Sequence, residues 1–270
     1  MDSEVSTDDY QIGEAWSKTA LTDDILTSQS PIFQRAALAT AKVIGSDFVA
    51  TAFAIGEKNG EVLLATNHHV IESHESCETI KIRFDYLRVG TLRCARIVTT
   101  NTDLDLTIFS VSGVNDTTKA AILNVASSFS AGAPKKGARL ITFGYGAVSN
   151  PRHNLMFGSD EDCKIFSPDN ETRFMADPDE LNPGPYKTSM FATGCDVSHG
   201  DSGSAFVDLA TGDVVGLLST GKVPKDPRVR DTSYLKTIYD SSSDDVWKQL
   251  TYVVPATKIR ELVGEFLPSP

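Results

Sequence analysis

Apolar residues in this chain come in short runs broken by turn residues, and this spacing limits the fold more than any other feature. Residues 37–44, 48–55 (FVATAFAI), 61–66 (EVLLAT), 80–86 (IKIRFDY), 91–98 and 105–111 (DLTIFSV) read as successive strands. Asn59-Gly60 between two of them is a hairpin signal, because both turn positions accept a positive φ. The pattern resumes at 139–143, 162–166, 204–208, 214–219 and 250–254. Only after Pro255 does the period lengthen, with Ile259, Leu262, Val263, Phe266 and Leu267 on one helical face. Many short strands and one terminal helix make an all-β fold of barrel type, not an α/β sheet. No fixed-period repeat is present.

Charge and length narrow the function. A chain of 270 residues can bury one all-β domain or two half-barrels. A net charge of −11 argues against a nucleic-acid partner, which calls for clustered Lys and Arg. No apolar run reaches the roughly 18 residues of a membrane helix, so no membrane partner is expected. The start, Met1-Asp2-Ser3-Glu4, has neither the basic end nor the apolar core of a signal peptide. The first thirty residues carry Asp2, Glu4, Asp8, Asp9, Glu14, Asp23 and Asp24 against Lys18 alone. Residues 1–35 therefore read as a loosely ordered acidic arm, either a solubilising tail or a pro-segment, ahead of a domain at 36–270. Residues 167–187 and 222–248 read as long surface loops.

Cys77, Cys94, Cys163 and Cys195 lack metal-type spacing. They are buried thiols or two disulfides, the latter implying an oxidising compartment. Cys77 stands just before the hairpin of 80–86 and 91–98 and Cys94 on its return strand, which brings them within reach of each other.

Three segments carry chemistry. In Gly200-Asp201-Ser202-Gly203-Ser204, glycines flank a serine and permit a bend that exposes its hydroxyl and turns backbone N–H groups toward a developing oxyanion. Ala65-Thr66-Asn67-His68-His69-Val70 puts an imidazole at the end of an apolar strand, where a general base would sit. Asp103-Leu104-Asp105-Leu106 opens a buried strand with carboxylates, and a buried carboxylate needs a partner such as an imidazole.

In the order His69, Asp105, Ser202, these segments resemble the chymotrypsin/trypsin-like serine proteases, and the bacterial-type branch in particular. Thr66-Asn67-His68-His69-Val70 is similar to the Thr-Asn-x-His-Val of the high-temperature-requirement proteases, which selects His69 over His68. Asp105-Leu-Thr-Ile is similar to their Asp-Leu/Ile-Ala-Val strand, which selects Asp105 over Asp103. Gly200 to Ser204 resembles Gly-Asp-Ser-Gly-Gly, with Ser204 in the last place as in the glutamyl-endopeptidase-like branch. The resemblance covers roughly residues 36–265. It implies two six-stranded antiparallel β-barrels, about 36–125 and 126–270, and no PDZ domain follows. It also implies a serine endopeptidase acting through an acyl-enzyme without cofactor or metal. The oxyanion hole would come from Gly200 and Ser202, and protein or peptide would be the substrate.

By the same resemblance, Asp196 lies at the base of the specificity pocket and points to Arg or Lys at the cleaved position. It also fits a Cys-Asp pair in a disulfide loop, with Cys195 joined to Cys163. Val197 and Leu218 stand where glutamyl-specific relatives have Thr and His, which argues against Glu specificity. Ser219-Thr220-Gly221 resembles the edge strand that pairs with substrate backbone, and His199 is either a residue of the pocket rim or an exposed bystander. Such a protein is expected to be secreted or periplasmic. In trypsin a freed Ile-Val-Gly-Gly terminus pairs with the Asp before the serine. Cleavage after Arg35 would expose Ala36-Ala37-Leu38 instead, so Asp201 needs another partner or the chain works without processing. Basic specificity would also predict self-cleavage near Arg228 or Arg230. The competing reading is an inactive protease homologue that serves as a binding protein.

Overall fold

The computed structural model describes residues 9–146, 152–175, 188–221 and 227–264. Residues 1–8 of the expected acidic arm lie outside the described residues, but the rest of the N-terminal part is not a loose arm. It forms β1 (Asp9–Tyr10), β2 (Thr19–Ala20), α1 (Asp23–Ser28) and α2 (Pro31–Ala39). Ile12, Leu21, Leu26 and Phe33 are buried in the main core. Phe33 packs edge-on against Phe143 and Phe157 at 4.9 and 5.0 Å. Glu14, Asp23 and Asp24 are exposed on a segment whose apolar residues face inward, so charge counting alone mistakes it for a tail. The expected strand at 37–44 divides. Ser30 caps α2 by accepting the Phe33 N–H, and Pro31 opens the helix. Ala36, Ala37 and Ala39 suit a helix as readily as a strand, and strand begins only at Thr40.

Six strands then close a barrel: β3 (Thr40–Ile44), β4 (Val49–Lys58), β5 (Glu61–Thr66), β6 (Lys81–Arg83), β7 (Leu92–Asn101) and β8 (Leu106–Ser112), in the order β3-β4-β5-β8-β7-β6. Asn59 and Gly60 turn between β4 and β5 with φ of 53° and 85°, as the hairpin signal requires. Alternation explains why β4 is apolar on both faces. Ala50, Ala52 and Ala54 point into the barrel, while Phe53 and Ile55 face the main core. Val62 and Leu64 on β5 fill the barrel, and Leu63 and Ala65 face the main core. Strands apolar on both faces thus mark the wall shared by two cores. The turn after β5, at the end of this wall, holds one of the catalytic candidates, His69. A helix absent from the sequence reading, α3 (His74–Thr79), carries Cys77, whose disulfide to Cys94 pins it to β7. Another, α4 (Asp116–Val125), follows β8.

The second half is an antiparallel sheet of eight strands. Its members are β9 (Leu140–Gly144), β10 (Met156–Gly158), β11 (Arg173–Met175), β12 (Thr188–Thr193), β14 (Ala205–Asp208), β15 (Val214–Gly221) and β16 (Thr251–Pro255), with β2 beside β10. The short β13 (Val197–Ser198) pairs instead with β1. Cys163–Cys195 is the second disulfide. The expected surface insertion at 222–248 contains α5 (Thr232–Ser241), which buries Leu235 and Ile238; 222–226 lie outside the described residues. The terminal helix α6 (Ala256–Val263) buries Ile259 and Val263, and Phe266 and Leu267 lie outside the described residues.

Candidate active site

His69 stands in the turn after β5, and Asp105 in the turn before β8. His69 Nδ1 is 2.9 Å from Asp105 Oδ2 and 3.1 Å from Oδ1, and the His69 backbone N–H donates to Oδ1 at 3.1 Å. Ser219 Oγ donates to Oδ2 at 2.9 Å. With Nδ1 facing a carboxylate, the neutral ring carries its proton there and keeps Nε2 basic. His68 turns elsewhere, its Nδ1 2.8 Å from Thr100 Oγ1. Asp103 is exposed. Asp105 adopts a φ of 43°, unusual for a residue with a side chain. Asn67 holds it there, donating from Nδ2 to the Asp105 carbonyl at 2.9 Å.

Ser202 lies beyond β13 on a turn clamped from the first barrel. Asp201 N–H donates to the Ser198 carbonyl at 3.0 Å, and Gly200 between them has φ of 101°. A positive φ at the third position belongs to a type II turn. Thr51 on β4 grips this turn through two bonds and ties it to Tyr145 through a third. Its N–H donates to the Ser202 carbonyl at 2.9 Å, and its Oγ1 donates to the Gly200 carbonyl at 2.8 Å and accepts the Tyr145 N–H at 3.1 Å. Gly203 has φ of 86°, and a Cβ there would stand 2.0 Å from the Thr51 carbonyl oxygen. The second glycine of the serine motif is therefore required by the first barrel's backbone as much as by its own turn.

His69, Asp105, Ser202, His199 and Ser219 line one cleft of about 560 Å³. Met190, Val197 and Leu218 form much of its apolar wall. Gly221 ends β15 opposite Thr251, while Ser219 sits at a register shift between β15 and β16. Among the described residues, β15 runs past the start of β14, so no strand pairs with its 219–221 stretch on that side. His199 is exposed and meets the Tyr10 ring edge-on at 5.8 Å.

Asp196 does not reach the cleft. It is fully buried, and its carboxylate accepts the Ile12 N–H at 2.6 Å and the Ser17 N–H at 2.7 Å. Burial, which outweighs these two bonds, pushes its carboxyl up to about 7. The pocket-base role expected of Asp196 is corrected accordingly: the N-terminal segment turns the carboxylate away from the cleft. Asp201 is also buried, and accepts Gly146 N–H at 3.0 Å and Ser198 N–H at 2.9 Å. Its ion-pair partner is the buried Lys18 ammonium. Thr51, Tyr10 and Lys18 were not singled out from the sequence. Lys18 had one legible signal, as the sole cation of an acidic segment.

The model of the trypsin-like peptidase domain matches residues 50–217. The chain belongs to the trypsin-like peptidase family. No curated protein matches this peptidase. Among solved structures, it is similar to the active form of the Rv3671c protease from M. tuberculosis at 16% identity and a TM-score of 0.58, covering 93% of this chain and 90% of that one. It is similar to a Glu endopeptidase in complex with MPD at 12% identity and a TM-score of 0.56, covering 94% and 98%. It is also similar to Deg5 at 14% identity and a TM-score of 0.52, covering 89% and 94%. At these identities the likeness to solved structures concerns the fold, which in this trypsin-like peptidase places the candidate residues between the two halves.

Proposed function

We propose that the chain is a serine endopeptidase with His69, Asp105 and Ser202 as its triad. The observation that carries this reading is Asp105, whose carboxylate takes bonds from His69 Nδ1, His69 N–H and Ser219 Oγ beside Ser202 in one cleft. Ser202 Oγ attacks the peptide carbonyl while His69 Nε2 takes its proton. The same proton goes to the leaving amine as the acyl-enzyme forms. A water molecule, deprotonated by His69, then releases the acid. Asp105 keeps the ring in the required tautomer and stabilises its cation.

The type II turn at Ser198 to Asp201 supports an open oxyanion hole. Types I and II differ by a flip of their central peptide, here the one that carries the Gly200 N–H. The positive φ of Gly200 selects the type II orientation. The N–H groups of Gly200 and Ser202 would then face the oxyanion. Substrate backbone pairs along Ser219-Thr220-Gly221, with His199 at the rim.

The Arg or Lys preference drawn from Asp196 loses its carboxylate to Ile12 and Ser17. With Met190, Val197 and Leu218 in the wall, an uncharged apolar side chain fits best. Two disulfides suit an extracellular or periplasmic site of action. Fluorophosphonate labelling of wild type beside Ser202→Ala tests the triad, and peptide-library profiling tests the pocket. Labelling that disappears in the variant, with cuts after apolar residues, is expected. Cuts after Arg or Lys would overturn the pocket reading alone. A folded wild type that does not label would favour the inactive binding homologue.

A further inference from the structure

We infer that Lys18 is a positioning residue for the nucleophile turn, and that the N-terminal segment is a built-in activator of the enzyme, not a pro-segment that restrains it. The inference rests on the serine-protease reading above. Asp201 precedes the nucleophile, and its carboxylate holds the Ser198 N–H at the start of the turn that presents Gly200 and Ser202. Lys18 and Asp201 side chains are 0% and 1% exposed, so each charge depends on the other. A buried carboxylate stripped of its cation is strongly disfavoured. It would swing toward water, and that change frees the turn it anchors.

Three further attachments hold Lys18 in place. Tyr10 and Asp9 pair with Val197 and Ser198, immediately before the turn. Ile12 and Ser17 N–H groups cap Asp196. Thr19 and Ala20, just after Lys18, pair with Phe157 and Met156. The segment from residue 9 to residue 20 thus pairs with β13 and delivers one ammonium to one carboxylate. That ammonium is part of the uncut chain. No new terminus has to be made, and a cut that releases this segment would turn activity off.

The test is the rate of fluorophosphonate labelling at Ser202, read by mass spectrometry, with thermal unfolding followed in parallel. Lys18→Ala is expected to fold with a lowered Tm and to label roughly 100-fold more slowly, on the scale of one lost oxyanion donor. n-Propylammonium supplies the atoms removed by the substitution. It is expected to restore at least about a tenth of the lost rate while leaving wild type unchanged, a rescue that a general packing defect would not show. Lys18→Ala labelling within about twofold of wild type would overturn the inference. If Lys18→Ala does not fold, Lys18→Ala/Asp201→Asn removes both buried charges. Slow labelling of that folded double variant supports the inference, and wild-type labelling overturns it. Failure of wild type itself to label would instead count against the serine-protease reading.

Discussion

The backbone N–H of Thr51 donates to the carbonyl oxygen of Ser202 across 2.9 Å, so a strand of the first barrel holds the proposed nucleophile of the second half. The Thr51 hydroxyl adds bonds to Gly200 and Tyr145. Thr51→Val keeps the volume and removes the hydroxyl. It leaves a half-buried carbonyl and a buried N–H without that partner. The expected cost is about 2 kcal/mol in urea unfolding, with slower labelling of Ser202. Unchanged stability would mean that the clamp is carried by the backbone bond alone.

Asp105→Asn keeps the shape of the orienting group but reverses the hydrogen-bond preference at His69 Nδ1. Peptidase turnover should fall by about 10⁴, the size of this change in the template triad. Ser219→Ala removes only the third bond to the same carboxylate, and should cost far less, within about tenfold. An equal loss in both variants would argue that Asp105 serves chiefly to hold β15.

Asp196 gives a pH prediction with a definite sign. Its folded value of about 7 lies above the ordinary carboxylate value. Between roughly pH 4 and that folded value, the folded chain keeps a proton that the unfolded chain releases, so this group's contribution to stability falls as pH rises. Asn has no such proton. The Tm deficit of Asp196→Asn relative to wild type should therefore shrink between pH 5 and pH 8. A deficit that grows instead would show that the ionised form is the one the fold prefers. The cleavage-site profile should not change in this variant, since the carboxylate lies outside the cleft.

The two disulfides should separate by function more than by stability. They close loops with sequence separations of 17 and 32. Replacing either pair with alanine should cost about 3 kcal/mol. Loss of Cys163–Cys195 should also slow labelling, because Cys195 adjoins Asp196 and β13. Loss of Cys77–Cys94 ties up less of the site and should affect labelling less. Non-reducing peptide mapping and chemical unfolding check both pairs.

Sequence and structure agree where chemistry needs particular residue types in a local setting. The glycines around Ser202, the imidazole closing an apolar strand and the carboxylate opening another could each be read from a few neighbours. The strand pattern was legible for the same reason, since alternation reports the faces of a strand directly. The hairpin signal at Asn59-Gly60 likewise depends on two residues alone. Helix α2 was legible but missed. Ser30-Pro31 is a sound start signal, yet the alanines that follow fit either period.

By itself the sequence determined which residues could form the triad, the all-β architecture and the serine turn that only glycines allow. Tertiary structure decided which groups complete those elements. Asp196 sits six residues before Ser202, and the family resemblance implies a place beneath the pocket. Its partners, Ile12 and Ser17, lie 184 and 179 positions away. Lys18 reaches Asp201 across 183 positions. Burial is a property of the closed fold, and a buried charge takes its meaning from whatever the fold places against it.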